Sequence, residues 1–216
     1  MSLKQSTIGH LTALLARCPE LEYLRDDIHW AAEHICGSYI GGGKVLVCGN
    51  GGSAADSDHI VGELMKGFVL KRELLPEDIE KIQNTDADDW QTIANRLQRG
   101  VPAIALTQHP ALSSAIANDT DASMIYAQQV YVLGQPADVL IGISTSGNAA
   151  NVINALKVAK AFGIVTIGFT GSRVGRMDDF CDVMIKAPVA ETFRVQEYHL
   201  PIYHVLCLMI EEELFG

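Results

Sequence analysis

The chain has 216 residues, 48% hydrophobic and 19% charged, a composition that can fill a large core and argues against disorder. Its 26 acidic residues outnumber 16 basic ones, and the net charge of −10 argues against binding nucleic acid by charge. The length predicts one domain over 1–216. We also expect a soluble cytoplasmic protein, because the five cysteines are irregularly spaced and the sequence shows neither a basic-then-apolar leader nor an apolar run of about 18 residues.

The first 40 residues predict a hairpin of two helices. Apolar residues recur there at helical spacing on both sides of a break at Cys18-Pro19-Glu20: Leu11, Leu14, Leu15, Ile28, Ala31, Ala32 and Ile35. Gly41-Gly42-Gly43 then separates the hairpin from the first predicted strand.

From residue 44 onward, short apolar strands alternate with helices. The predicted strands are 44–48, 103–106, 137–143, 164–169 and an edge strand at 183–185, with helices over 54–68 and around 152–159. This alternation predicts a doubly wound, five-stranded parallel α/β sheet of flavodoxin-like type, covered on both faces. Ligands bind beyond the carboxyl ends of such strands, so the loops at 49–53 and 144–148 should face one pocket.

The stretch 69–100 interrupts this alternation. It is rich in charged residues, contains Pro76-Glu77-Asp78, and predicts one helix that starts at Asp88 or Asp89 and ends at Leu97. We therefore interpret it as an insertion on the surface.

Three consecutive hydroxyl residues, Ser144, Thr145 and Ser146, lie between a buried strand and a helix, and are followed by Gly147 and Asn148. Their hydroxyls and the free N–H groups of the helix start point to one spot, which suits a phosphate group. The alternative is an ordinary helix cap, which serine and threonine provide at many such junctions. The run of three hydroxyls favours anion binding.

The loop Gly49-Asn50-Gly51-Gly52-Ser53 resembles a nucleotide-binding glycine loop only weakly. It lacks the Lys-Ser/Thr of a P-loop and the complete dinucleotide fingerprint, which argues against a nicotinamide or nucleotide enzyme. A tight turn that lets a ligand or a helix approach is an equally good interpretation.

Four polar residues are further candidates. His59 and Glu63 lie four apart on one helix face, where they could share a metal ion or a proton, or form a simple surface pair. Gln196 and His204 precede or enter a very apolar C-terminal helix, where burial of a polar group without partners is unfavourable. The alternative to a functional role is that each is a core or interface residue with its hydrogen bonds satisfied. The other histidines, His10, His29, His34 and His109, are expected to be structural or exposed, with His199 the candidate exception.

Four motifs, in order along the chain, carry a family resemblance: CGNGGSAADSDHIVGEL (48–64), IAND (116–119), GISTSGNAANV (142–152) and RVQEYHLPIYH (194–204). They are similar to those of phosphoheptose isomerases of the SIS family, and only 69–100 falls outside the resemblance. The resemblance implies a homotetramer with active sites between subunits and with 1–40 used in oligomerisation. It also implies isomerisation of sedoheptulose 7-phosphate to D-glycero-D-manno-heptose 7-phosphate through an enediol.

The resemblance further implies roles for single residues. The substrate would be held by Asn50, Gly51, Gly52, Ser53, Asn118, Asp119, Ser144, Thr145, Ser146 and Gln196. Glu63 would be the base and His204 the acid, while His59, Glu63, Gln196 and His204 would bind a zinc ion that some members carry. A base, an acid and support for an oxyanion are what aldose–ketose isomerisation requires.

The implied ligand set meets a geometric limit. On one straight helix, Gln196 and His204 lie about 12 Å apart along the axis, so both cannot reach one ion. Pro201 could bend the helix, Gln196 could precede it, or the two residues could come from different subunits. We predict an intersubunit site.

Two departures from the family pattern bear on specificity. Ala149 stands where the family loop usually has a serine, and the longer 69–100 segment could cover the pocket and change which sugar fits. The competing interpretation is a non-catalytic SIS protein that binds sugar phosphates or a partner, like the bacterial replication-initiation regulator of this fold. That regulator lacks an equivalent of His204, so the histidine favours catalysis.

Overall fold

The computed structural model describes residues 2–85 and 88–216. Its first elements are helix α1 (Gln5–Arg17), a 3-10 turn (Pro19–Leu24) and helix α2 (Arg25–Ile40), which confirms the predicted hairpin. Proline suits the first position of the turn because that position needs no N–H donor. Leu14 and Ile35 are buried in a core shared with the C-terminal helix.

Five parallel strands form the sheet: β1 (Val45–Gly49), β2 (Ala103–Ala105), β3 (Val139–Ile143), β4 (Val165–Thr170) and β5 (Val183–Lys186). Their order is β2-β1-β3-β4-β5, with Val47 opposite Ile141 and Ile141 opposite Ile167. β1 and β3 are buried along their whole length, as expected for strands covered on both faces. The predicted doubly wound α/β fold and the edge position of 183–185 are confirmed.

In the described part of the chain, seven more α-helices follow the hairpin: α3 (Gly52–Met65), α4 (Pro76–Thr85), α5 (Trp90–Ala94), α6 (Pro110–Ile116), α7 (Ile125–Leu133), α8 (Ala150–Ala161) and α9 (Thr192–Phe215). Helices α1, α2, α3 and α9 pack on one face of the sheet, and α7 and α8 on the other. A Cβ atom on Gly142 would lie 3.0 Å from Val152, so this glycine lets α8 approach β3 closely. No helix within 2–85 and 88–216 is long and apolar enough to span a membrane.

The predicted helix over 54–68 has different bounds. It begins two residues earlier, at Gly52, and ends at Met65, because Lys66 has an extended backbone, with φ −135° and ψ 172°. The whole motif region from Gly52 to Glu63 therefore lies in one helix, α3.

The predicted surface insertion is only partly correct. Helix α4 buries no side chain, and the helix expected up to Leu97 is the short α5. Arg72, however, is 2% exposed, because its guanidinium has partners inside the fold. Residues 86 and 87, within the predicted insertion, lie outside the described part of the chain.

Candidate active site

Residues 144–148, which we call the serine loop, lie directly beyond β3, as predicted. Ser144 is buried, and Gly147 turns the chain with a φ of 67°, a left-handed conformation that suits glycine. A cavity of about 180 Å³ opens beside the loop, with lining residues from three segments: Thr145, Ser146, Asn148, Arg173, Val174, Ala190 and Thr192. Thr145 and Ser146 therefore face a cavity that Arg173 also lines, and hydroxyl and guanidinium groups are suitable donors to a phosphate group.

The helix-cap alternative explains one hydroxyl of the three. Ser144 Oγ accepts a hydrogen bond from Ala149 N at 3.4 Å, and Ala149, the capping position of α8, supplies no side-chain cap. Ser146 Oγ accepts from Asn148 N at 3.2 Å, but it still lines the cavity with Thr145. The start of α8 thus keeps N–H groups and hydroxyls available to an anion.

The glycine loop meets the start of α8. Asn50 and Asn151 form a reciprocal amide pair, with Asn50 Nδ2 donating to Asn151 Oδ1 at 2.9 Å and Asn151 Nδ2 donating to Asn50 Oδ1 at 2.8 Å. The Tyr126 hydroxyl fixes the loop from the other side by donating to the Gly49 carbonyl at 2.6 Å. The two loops are therefore neighbours at the carboxyl ends of β1 and β3, where the sequence placed them.

Gln196 packs on the first residue of α3. A Cβ atom on residue 52 would lie 2.2 Å from Gln196 Nε2, so only glycine allows this approach. Gln196 lies inside α9, so the interpretation in which it precedes the helix is wrong. Ser53 beside it is buried, and its N–H donates to the Asn50 carbonyl at 3.0 Å.

Two turns further along both helices, a group of ionisable side chains meets. His59 Nε2 lies 3.3 Å from Glu63 Oε1 and 3.5 Å from His204 Nε2. The Tyr203 hydroxyl lies 3.0 Å from His59 Nδ1 and 3.3 Å from Asp56 Oδ1, so it bridges Asp56 to the imidazole. We call His59, Glu63 and His204 the proton-transfer group.

The contacts show that α3 and α9 run in the same direction, because Gly52 meets Gln196 and His59 meets His204. We call the line of contact between α3 and α9 the seam. Gln196 and His204 occupy its opposite ends, as the spacing limit requires. His59, Glu63 and His204 meet within one chain, so this part of the site needs no second subunit. The predicted intersubunit assembly stays a prediction.

The surroundings of the group shift its protonation. Burial lowers the pKa of His204, and the nearby His59 lowers it further, while Glu63 acts in the opposite direction. Burial raises the pKa of Asp56 against the lowering effects of Tyr203 and His59. Lys66 Nζ pairs with the second oxygen of Glu63 at 2.9 Å. His204 is thus favoured as a neutral imidazole, which can donate a hydrogen bond or pass on a proton.

The predicted zinc ligands fit an ion only in part. Tetrahedral zinc with ligands at about 2.1 Å holds its donor atoms about 3.4 Å apart, close to the two His59 distances. Gln196 lies at the other end of the seam, and no three His, Cys, Asp or Glu side chains in the described ranges form a ready metal site. The zinc site stays a prediction.

Asn118 and Asp119 lie on a π-helical turn (Ala117–Asp121), where Asn118 Nδ2 donates to Asp119 Oδ1 at 2.8 Å. Both are exposed, and no hydrogen bond between described residues joins them to the other candidates. Their predicted substrate contact stays a prediction.

His199 is the candidate exception to a structural or exposed role among the histidines, and a functional role for it stays a prediction. It is fully buried, its Nε2 lies 3.2 Å from the Thr170 carbonyl oxygen, and its Nδ1 has no partner. Burial lowers its pKa to about 4. The remaining four are half-buried or exposed, as expected: His10, His29, His34 and His109.

Sequence reasoning missed several residues at the site, among them Phe68, whose ring lies 5.5 Å from the His204 ring; the others are Asp56, Asn151, Arg173 and Tyr203. Asp56 precedes His59 by three residues on α3, a spacing that places both on one helix face, so this signal was available. Tyr203 and Asn151 fall inside the motifs that carry the family resemblance. Arg173 and Phe68 carry no such local signal, because only the fold brings them to the site.

Known proteins share the sequence pattern and the fold of this chain. A profile of the SIS domain family matches residues 10–99 and 87–171. A phosphoheptose isomerase of Burkholderia pseudomallei is 37% identical over 98% of this chain and 94% of its own. Another, from Clostridium acetobutylicum, is 41% identical over 88% of this chain and 84% of its own. The solved phosphoheptose isomerase of Neisseria gonorrhoeae, at 32% identity, superposes with a TM-score of 0.71 over 94% of this chain and 96% of that one.

Proposed function

The chain belongs to the SIS domain family, and we propose from this premise that it is a phosphosugar isomerase that converts sedoheptulose 7-phosphate to D-glycero-D-manno-heptose 7-phosphate. The observation that carries the proposal is the seam between α3 and α9. One end of the seam adjoins the serine and glycine loops, and the other carries the proton-transfer group. The rise from Gly52 to His59, about 10 Å, suits an extended sugar phosphate of several carbons.

At the loop end, the phosphate is held by N–H groups and hydroxyls. Ser144 contacts the start of α8 through Ala149 N, while Thr145, Ser146 and Arg173 line the cavity beside it. Asn50 and Gln196 provide amide groups beside Gly51 and Gly52 for the sugar hydroxyls. Because amides both donate and accept hydrogen bonds, they suit a polyhydroxylated chain.

At the other end, two groups move protons. Glu63 removes a proton from C1 of the ketose, the C2 carbonyl oxygen takes up a proton, and a 1,2-enediol forms. The proton on the C1 oxygen then leaves while C2 gains one, which gives the aldose. His204 exchanges the oxygen-bound protons, and the bridge from Asp56 through Tyr203 fixes the His59 ring beside both.

We retain zinc as a proposal for this end of the site. His59, Glu63 and His204 would be its ligands, and the Tyr203 partner of His59 Nδ1 resembles the supporting hydrogen bond that metal-binding histidines commonly have. Bound zinc would polarise the substrate carbonyl as a Lewis acid. Isothermal titration with zinc tests this: binding that is lost in His59→Ala supports it, and no binding by the wild-type chain contradicts it.

We also propose a cytoplasmic homotetramer with active sites between subunits. The five cysteines are free thiols, and Cys36, Cys48 and Cys207 are buried, which suits a reducing compartment. Exposed apolar side chains on α2, Trp30 and Ile40, support a role of the N-terminal hairpin in assembly. Light scattering after size exclusion should give four times the mass of the chain; a monomer would contradict the assembly.

The deciding experiment incubates the protein, with and without added zinc, with C5, C6 and C7 ketose phosphates and follows aldose formation by NMR. We expect turnover of the C7 substrate in preference to shorter ones. Binding of these sugars without turnover of any would favour the non-catalytic alternative, a sensor or regulator. Turnover of only a shorter sugar would retain the isomerase and overturn the heptose assignment.

A further inference from the structure

A buried ion pair lies beside the end of α3 that carries Glu63. Arg72 Nε donates to Glu211 Oε1 at 2.8 Å, and the two side chains are 1% and 0% exposed. The Arg72 guanidinium also lies 4.7 Å from the centre of the Phe215 ring. A fully buried pair of charges is unfavourable unless its remaining donors and acceptors have hydrogen-bond partners.

The remaining donors of Arg72 hold the last turn of α3. Nη1 donates to the Leu64 carbonyl at 2.7 Å, and Nη2 donates to the Glu63 carbonyl at 3.1 Å. These carbonyls belong to the final residues of a helix, which have no partner within the helix itself. Arg72 thus fixes the backbone of the residue whose carboxylate is the proposed base.

Glu211 holds the chain that follows. Its carboxylate accepts from the N–H groups of Phe68 and Val69 at 2.8 Å each and of Leu70 at 3.1 Å. Desolvation acts to raise the pKa of Glu211, but these N–H groups and Arg72 together lower it, so the carboxylate is held ionised.

The same loop contacts the proposed acid. The Phe68 ring lies 5.5 Å from the His204 ring, and Glu211 lies seven residues beyond His204 on α9, two turns along one face. The ion pair is therefore linked to Glu63 through the α3 backbone and to His204 through Phe68.

We propose that Arg72 and Glu211 are positioning residues that set the distance between Glu63 and His204. The inference rests on the proposed isomerase function. Both side chains are buried and cannot reach a bound sugar, so the pair acts through the geometry of the proton-transfer group. It also gives the first residues of the 69–100 segment a role in the site.

The test compares Arg72→Met with Lys44→Met. Lys44 forms the matched control pair, because its Nζ lies 2.7 Å from the buried Asp138 at the opposite, amino-terminal edge of the sheet. We expect Arg72→Met to lower kcat about 100-fold with KM within about twofold, since a base displaced by about 1 Å loses that much. Lys44→Met should retain kcat at the same folded fraction, and Arg72→Lys should recover part of the loss.

Two outcomes with an active wild type would overturn this inference and leave the proposed function standing. One is an unchanged kcat in Arg72→Met, and the other is an equal loss of kcat in Arg72→Met and Lys44→Met. If Arg72→Met does not fold, the double variant Arg72→Met/Glu211→Gln, which leaves neither charge buried without its partner, is measured in its place and must show the same loss. A wild-type chain that turns over no sugar overturns the proposed function, and this inference with it.

Discussion

The two ends of the candidate site are built in different ways. At the loop end, the groups that face the ligand come from turns that follow β1 and β3, which are neighbouring parallel strands. At the proton-transfer end, His59 and His204 come from two helices and lie 145 residues apart in the chain. The first end depends on local structure, while the second depends on how two long helices pack.

This difference separates binding from chemistry. A change at the loop end should alter KM and leave the chemical step nearly intact, because the phosphate and the reacting carbons are far apart. A change at the proton-transfer end should alter kcat. Variants at the two ends test whether the division holds.

The largest effect is expected from Glu63→Gln, which keeps the shape of the side chain and removes the base. Turnover should fall about 10³-fold, the usual contribution of general acid–base catalysis, while sugar phosphate binding stays nearly intact. NMR turnover and calorimetric binding measure the two. Activity that persists would show that the carboxylate is not the base, and lost binding would break the division between the ends.

A second prediction concerns His199, whose Nε2 contacts the Thr170 carbonyl at the end of β4. Its pKa is about 4 when folded, against an ordinary value of 6.5. Below pH 6.5 the unfolded chain binds a proton that the folded chain does not, so the free energy of unfolding should fall by roughly 3 kcal/mol between pH 6.5 and 4. The stability contribution is complete above pH 6.5.

Urea unfolding at several pH values tests this, since His199→Phe should have a smaller slope in that window. His34→Gln is the control, because His34 is exposed on α2. An unchanged slope in His199→Phe would assign the acid sensitivity to other groups.

A third prediction, Gly52→Ala, concerns the contact between Gly52 of α3 and Gln196 of α9. Its Cβ must push the Gln196 amide away, so kcat/KM should fall about tenfold, the value of one hydrogen bond to the substrate. Gly62→Ala, on the same helix with open space around it, should leave activity unchanged. If Gly52→Ala acts by displacing the Gln196 amide, it should cause no further loss of kcat/KM in a Gln196→Ala background. Losses that add fully in the double variant would contradict the role of that contact.

The smallest effect is expected from Ala149→Ser. The new hydroxyl at the start of α8 should lower KM about threefold to tenfold, since hydrogen bonds to charged groups are among the stronger ones, and kcat should not change. Ala150→Ser, at the exposed next position, serves as the control. An equal KM in both variants and wild type would show that the phosphate does not reach Ala149.

Sequence reasoning reached the fold and the loop end from local patterns. Alternating apolar strands predicted the parallel sheet, and Ser144 to Ser146 predicted a polar cavity at its edge, because both depend on residues that are close in the chain. Helical spacing pointed to the pair His59 and Glu63, but the role of His204 beside them was reached only through the family resemblance. Helical spacing gives the face of a residue but not its partner on another helix.

Arg72 shows the limit most clearly. It lies in a charged stretch that predicts an exposed segment, yet it is buried in an ion pair with Glu211. That partner is 139 residues away in the chain, so no local pattern could reveal it. The short α5 shows the same limit, since the apolar residues Ile93 and Leu97 are exposed despite their helical spacing.

The starts of three helices meet at the loop end. Gly52 of α3 contacts Gln196 in the second turn of α9, and Asn50 pairs with Asn151 in the first turn of α8. Their N–H ends carry partial positive charge in a molecule whose net charge of −10 repels anions at a distance. Dissolved salt screens the distant repulsion more than the attraction at contact, so the association rate of the sugar phosphate should rise with ionic strength.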